Sequence, residues 1–285
     1  MKVGFIGAGK AGCSLGKYFS IKADAKDLLV TGYYSLIEEE ARWAALFTDS
    51  KCFSTLEDLI KASDTIIFST PDGAIKNVWN SINKDCLQDK IVCHLSGSLS
   101  SDVFSEIETY GACAISIHPL FAFSDKESAY QQLNDVCFTL EGNREAVSVW
   151  QSVLQGLGNE SIEISKDVKP AYHAAASIVS NHVIAVLNAG YKMLEKCGFS
   201  EAEARRYTAN LVRYNVEHVI EDGCVTALTG PIERGDVDTV KKHLRVLDDS
   251  YNNLYCVCGE NLLELAKEKN PMRDYEMMES IFEDR

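Results

Sequence analysis

Basic residues are in short supply. Twenty-eight Lys and Arg stand against 42 Asp and Glu, leaving a formal charge of −14 over 285 residues. Nucleic acids and anionic membranes are gripped by clustered Lys and Arg, so neither is an expected partner. Long apolar runs are missing too: none approaches the roughly 18 residues of a membrane-crossing helix. The first apolar run is the length of one strand rather than of a signal-peptide core, so a cytoplasmic chain is expected. The ten cysteines contain no C-x-x-C, which argues against a zinc or dithiol site, and no metal is expected. Free thiols in a reducing compartment follow from that. Internal repeats, low-complexity segments and flexible linkers are absent as well.

What is present is concentrated in KVGFIGAGKAGCSLG, residues 2–16. Val3, Phe5 and Ile6 form a short apolar strand, and a helix begins at Ala11. Between them Gly7, Gly9 and Gly12 make G-x-G-x-x-G. Gly7 permits the tight turn, Gly9 lets the backbone approach a pyrophosphate, and Gly12 allows close helix–strand packing. The following helix N-terminus offers N–H groups and a positive dipole end to phosphates. Gly7, Ala8, Gly9, Lys10, Ala11 and Gly12 are therefore candidate cofactor-binding residues.

The chain then alternates in the manner of an α/β protein. Strands are expected at residues 28–34, 51–53, 64–70, 91–95, 112–117, 136–140 and 162–164, with helices at 37–47 and 145–157. The fold class is a doubly wound, largely parallel Rossmann-type sheet followed by an all-α domain. The domains are expected to be 1–165 and 166–285. From Pro170 a helix is expected to run to Cys197, apolar on nearly every face and so buried all round. Ser200 and Glu203 form a capping box for the next helix, and Asp236 caps another. So apolar a helix implies a homodimer built through the helical domain.

The second strand ends at Tyr34-Ser35 with no acid before Glu38. A carboxylate there would bond the ribose 2′-OH of NAD and repel a 2′-phosphate. A hydroxyl at Ser35 leans the choice towards NADP, with NAD as the alternative. Arg42 is either a phosphate contact or part of a solvated helix face. Thr70 and Pro71 end the strand that should lie beside the first glycine turn.

Other candidates also follow strands. Ser96 and Ser98 stand where ligands of open α/β sheets bind, or they cap the next turn. His118, stiffened by Pro119, titrates near neutrality and can trade a proton during redox at C–OH; a packing role is the other reading. Lys169 and His173, four apart at a helix start, share a face. Lys169 could polarise a carbonyl, or be a surface lysine. Asn181 lies on nearly the same face, ahead of Asn188. Arg234 could grip a carboxylate bidentately, or pair with a surface acid beside the helix cap Asp236.

GFIGAGKAG, STPDGAI, HLSGSLSSDVF, ISIHPLFAF, KPAYHAAASIVSNH and LTGPIERGD together resemble a family joining a Rossmann-like domain to a helical domain of unknown function 2520, whose members are often labelled NADP oxidoreductases. More distantly the chain is similar to β-hydroxyacid dehydrogenases, pyrroline-carboxylate reductase, ketopantoate reductase and prephenate dehydrogenase. The resemblance implies a nucleotide domain, a helical domain and a small-molecule substrate. His118-Pro119 is similar to the His-Pro of prephenate dehydrogenases, whose histidine contacts the reacting hydroxyl. β-Hydroxyacid dehydrogenases carry Asn four residues after a Lys, where this chain has His173 after Lys169. The expected function is an NADP-preferring oxidoreductase moving hydride between nicotinamide and a small, carboxylated substrate at a C–OH/C=O or imine centre. His118, Lys169 and His173 would be catalytic, and Ser96, Ser98, Asn181 and Arg234 would bind substrate. The alternative is a nucleotide-binding sensor without turnover.

Overall fold

A computed structural model describes residues 1–22 and 28–283. The short β-branched and aromatic runs form eight strands: β1 (Lys2–Ile6), β2 (Leu29–Tyr34), β3 (Lys51–Cys52), β4 (Thr65–Phe68), β5 (Ile91–His94), β6 (Cys113–Pro119), β7 (Phe138–Gly142) and β8 (Ser161–Glu163). They make one sheet in the order β3-β2-β1-β4-β5-β6-β7-β8. Every neighbouring pair is parallel except β6 and β7. All four residues of β4 are buried, as a strand covered on both faces requires. The order reverses direction between β1 and β4, which opens a crevice beyond their carboxyl ends.

Helices α1 (Lys10–Lys22), α2 (Glu38–Thr48), α3 (Leu56–Ala62), α4 (Asp72–Ser81) and α5 (Arg144–Leu157) accompany the sheet. Two apolar clusters result, one around Phe5, Tyr18, Tyr33 and Trp150 and the other around Ile66, Phe68, Trp79 and Phe104. The expected alternation fails twice, between β5 and β6 and between β6 and β7, where the 3-10 segment Ala129–Asp135 stands. The β5–β6 crossover holds two 3-10 turns, Ser101–Val103 and Ile107–Tyr110, in place of an α-helix.

The antiparallel β6–β7 pair sets Ser116 opposite Glu141 and His118 opposite Thr139. Side chains two apart on a strand share a face, so four polar groups gather on one side of this pair.

Beyond β8 the chain is helical: α6 (Lys169–Ser177), a π-helical segment Ile178–His182, α7 (Val183–Lys196), α8 (Glu201–Asp222), α9 (Cys224–Ala227), α10 (Pro231–Arg234), α11 (Val237–Val246), α12 (Asp249–Lys269) and α13 (Glu276–Glu283). The chain divides into two compact units, Met1–Ser180 and Asn181–Arg285. The division falls within the π segment, so α6 belongs to the first unit.

In the second unit the caps follow the sequence. Ser200 and Glu203 form a capping box, and Asp236 accepts from the Thr239 N–H at 3.1 Å. Its core comprises Leu228, Ile232, Val240, Leu263, Tyr275, Met278 and Phe282. The helix expected to be buried all round is not. Within α7 no residue is buried, and Ile178, Val179, Val183, Ile184 and Val186 are exposed. Among the described residues no helix is long and apolar enough to cross a membrane.

Candidate active site

The glycine turn after β1 is built as its spacing requires. Gly7 has φ +102°, and a Cβ there would lie 3.0 Å from the Ser69 carbonyl. One on Gly12 would collide with the Ser69 hydroxyl, which donates to Gly7 O at 2.9 Å. Over Gly9 the space is open, with only Ser69 O as near as 4.0 Å. Ala8 is buried beneath, while Lys10 opens α1 from an exposed position. The first-turn N–H groups of a helix such as α1 lack intrahelical partners. Thr70 lies against this turn, and its Oγ1 is buried without a hydrogen-bond partner among the described residues. An open glycine backbone, a helix N-terminus and an orphaned hydroxyl fit a dinucleotide pyrophosphate.

At the end of β2, Ser35 accepts the Ile37 N–H at 3.3 Å. Glu38 is paired with Arg42 at 2.6 Å, both side chains largely exposed. Arg42 therefore serves the helix surface in this structure.

Two residues past Thr70, Asp72 reaches across to the end of β5. Its Oδ2 accepts from Ser96 Oγ at 2.6 Å and Ser98 Oγ at 3.1 Å. Ser96 Oγ also accepts the N–H groups of Ser98 and Leu99. Ser96 thus organises the turn, and both serine protons are directed to Asp72 rather than to a ligand carboxylate. Behind the turn, His94 Nδ1 accepts the Ser96 N–H at 3.2 Å while Nε2 faces Ser100 O at 3.2 Å. The proton consequently sits on Nε2. Burial lowers the His94 pKa to about 4.

Lys169 lies under the same turn, 1% exposed. Its Nζ donates to Ser116 Oγ at 2.7 Å and to Ser96 O at 3.4 Å. A surface lysine is thereby ruled out. Its pKa is lowered, by burial first, with Glu141, Cys93 and Asp72 acting in opposition. His173 is not among these influences, so desolvation rather than a neighbouring cation lowers it.

His118 Nδ1 is 2.7 Å from Tyr172 OH, and its ring lies edge-on to His173 at 5.7 Å between centroids. Gly97 allows this approach: a Cβ there would stand 2.5 Å from His173 Nδ1 and 2.8 Å from His118 Nε2. Burial, then His173 and Lys169, press the His118 pKa down to about 4. His173 Nδ1 is buried with no partner.

The structure therefore brings Ser96, Ser98, His118, Lys169 and His173 together within the first unit, beside Thr70 and Pro71. Lys169 and His173 fall in the same compact unit as His118, Met1–Ser180. Asn181 and Arg234 fall in the second unit. Arg234 ends the short α10 in an exposed position. Sequence reasoning missed Asp72, Ser116, Thr139 and Tyr172. Ser116 and Thr139 did leave a signal, as polar residues among apolar neighbours in strands. Among the described residues no three metal-ligating side chains cluster.

The family model described as a Rossmann-like domain matches residues 1–119, and that described as a domain of unknown function (DUF2520) matches residues 136–262. The chain carries a Rossmann-like domain followed by a DUF2520 domain. The DUF2520 match takes in β7, β8 and α6, and hence Thr139, Lys169 and Tyr172. No curated protein matches the chain. Among solved structures, protein TM1727 from Thermotoga maritima is 26% identical with a TM-score of 0.72, covering 94% of this chain and 99% of that one. The candidate NADP oxidoreductase BF3122 from Bacteroides fragilis is 20% identical with a TM-score of 0.72, covering 92% and 98%. Plasmodium falciparum pyrroline carboxylate reductase, solved with NADP bound, is 18% identical with a TM-score of 0.64, covering 94% and 96%. The last two likenesses establish a shared fold.

Proposed function

We propose that this protein is an NADP-preferring oxidoreductase acting on a small substrate at a C–OH/C=O or imine centre. The observation that carries this reading is Asp72. By binding Ser96 and Ser98 it ties the Thr70 end of the glycine-turn pocket to the His118 cluster, so that cofactor and proton-handling groups share one crevice. NADP-related names among the structural neighbours agree with it.

Gly7, Gly9, Gly12 and the α1 N-terminus would hold the pyrophosphate, and Thr70 would give its unpaired hydroxyl to the same cofactor. Ser35, with no carboxylate beside it, would tolerate a 2′-phosphate. When bound, the nicotinamide supplies or accepts the hydride. His118 would stand at the substrate oxygen or nitrogen whose charge changes. With its pKa near 4 the ring is neutral at physiological pH and acts by hydrogen bonding. Lys169, sealed beneath Ser96, holds the turn and adds positive potential from behind; it is a positioning group. The serine pair gives no support to a carboxylate grip, so a carboxylated substrate would need other donors. The exposed apolar faces of α7 and α8 support a homodimer in the same reading.

Consumption of NADPH with a panel of small ketones, 2-oxo acids and cyclic imines tests the proposal. Turnover should appear with at least one class and vanish in His118→Ala, with NADPH affinity retained. Native-rate turnover by His118→Ala would overturn the assignment of His118.

A further inference from the structure

The Tyr172 hydroxyl meets two groups: His118 Nδ1 at 2.7 Å and Thr139 Oγ1 at 3.0 Å. Thr139 stands directly opposite His118 across the β6–β7 pair, and its hydroxyl is also 3.4 Å from His118 O. A hydroxyl has one proton to donate, so with the Tyr172 proton kept among these groups the chain runs in one of two directions. In one, Thr139 donates to Tyr172, Tyr172 donates to Nδ1, and His118 carries its proton on Nε2. In the other, Nδ1–H donates to Tyr172, Tyr172 donates to Thr139, and Thr139 donates to its own cross-strand carbonyl at His118.

The distances separate the two. Hydroxyl–oxygen hydrogen bonds cluster at about 2.5–3.0 Å. The Thr139–Tyr172 contact at 3.0 Å is within that range, and the Thr139–carbonyl contact at 3.4 Å lies beyond it. The reverse direction would make the longer contact carry the Thr139 proton. We propose that Tyr172 is the positioning residue of this site: backed by Thr139, it donates to Nδ1 and fixes His118 in the tautomer whose proton is on Nε2.

Nε2 has no hydrogen-bond partner among the described residues and lies on the Gly97 side of the ring. Held in this tautomer, it presents an N–H to an incoming atom. Such a group selects an acceptor, a carbonyl or hydroxyl oxygen or an imine nitrogen, and disfavours an ammonium. A protonated amine is therefore excluded from the atom facing Nε2. This consequence rests on the proposed role of His118 at the reacting atom, whereas the tautomer itself does not.

The test is a long-range proton–nitrogen correlation spectrum of the full chain with isotope-labelled histidine, near neutral pH and without cofactor or substrate. Native protein should show His118 with hydrogen on Nε2, a bare Nδ1, and coupling between Nδ1 and the Tyr172 hydroxyl proton. Tyr172→Phe should abolish that coupling and shift Nδ1 towards its unbonded value, with NADPH affinity unchanged. Hydrogen on Nδ1 in the native protein, or an unaltered His118 pattern in Tyr172→Phe, would overturn the proposal. Should Tyr172→Phe fail to fold in a thermal melt, Thr139→Val still decides: the Nε2–H pattern should persist, whereas a switch to it from Nδ1–H would show the chain running in reverse. Because no turnover is measured, a failed activity screen leaves this result standing, and the converse.

Discussion

The two compact units bury and expose opposite things. In Met1–Ser180 the strand ends enclose His94, Ser96, Ser116, Thr139, Glu141 and Lys169, all under a tenth exposed. In Asn181–Arg285 the surface carries Val183, Ile184, Leu211, Tyr214 and Ile220, all at least two-fifths exposed. Burying polar groups is costly unless they are hydrogen-bonded, and each of those in the first unit has a partner. Glu141 takes both the N–H and the hydroxyl of Ser101 at 2.8 Å. The first unit therefore encloses a hydrogen-bonded polar cluster, while the second leaves large apolar side chains at its surface.

The largest effect should come from the polar cluster. His118→Ala should cut turnover by about 100- to 10,000-fold, the usual worth of a placed proton-handling group, with NADPH affinity and melting temperature nearly unchanged. Lys169→Met should also cut turnover sharply by releasing Ser116 and the Ser96 turn. Parallel loss of fold and activity in His118→Ala would make the cluster structural and erase the contrast between the units.

A paired substitution comes next. Leu140→Ala, in the first core, should cost about 2–5 kcal/mol in denaturant unfolding without altering assembly. Ile184→Glu, on the exposed face of α7, should leave the fold intact and convert a dimer to a monomer by light scattering. A native chain that is already monomeric at micromolar concentration would contradict that half of the comparison.

Gly97→Ala sharpens the geometry. Its Cβ would press on His173 Nδ1 and His118 Nε2, an overpacking worth about 1–3 kcal/mol. Turnover should fall while NADPH affinity holds.

The last effect is a pH slope, seen only below neutrality. In the fold His94 and His118 have pKa values of about 4, against about 6.5 in an unfolded chain. Between these values the unfolded state binds more protons, so stability falls as pH drops from about 6.5 to about 4 and is independent of both groups above that window. Melting temperature against pH should show the decline, and His118→Ala should flatten it.

Much of this was legible in the sequence. The strand runs, the glycine spacing and the caps at Ser200 and Asp236 are local, and local signals survive reading in one dimension. Burial of Lys169 was not legible, because lysine is ordinarily a surface residue and its partner Ser116 lies 53 residues away. Tyr172 was hidden beside the more conspicuous His173. Asp72 drew no reading of its own beside Thr70 and Pro71, because its task depends on β4 and β5 lying side by side. The apolar stretch beyond Pro170 was read as buried all round, but in the structure α7 has no buried residue, because apolar composition alone does not say what packs against a helix.

The central claim is that the glycine turn and the His118 cluster form a nicotinamide site. Calorimetric titration of the purified chain with NADPH and then NADH tests it most directly. The account predicts one saturable site per chain, tighter for NADPH and weakened by a bulky substitution at Gly9, where the space is now open. No binding of either nucleotide would contradict it.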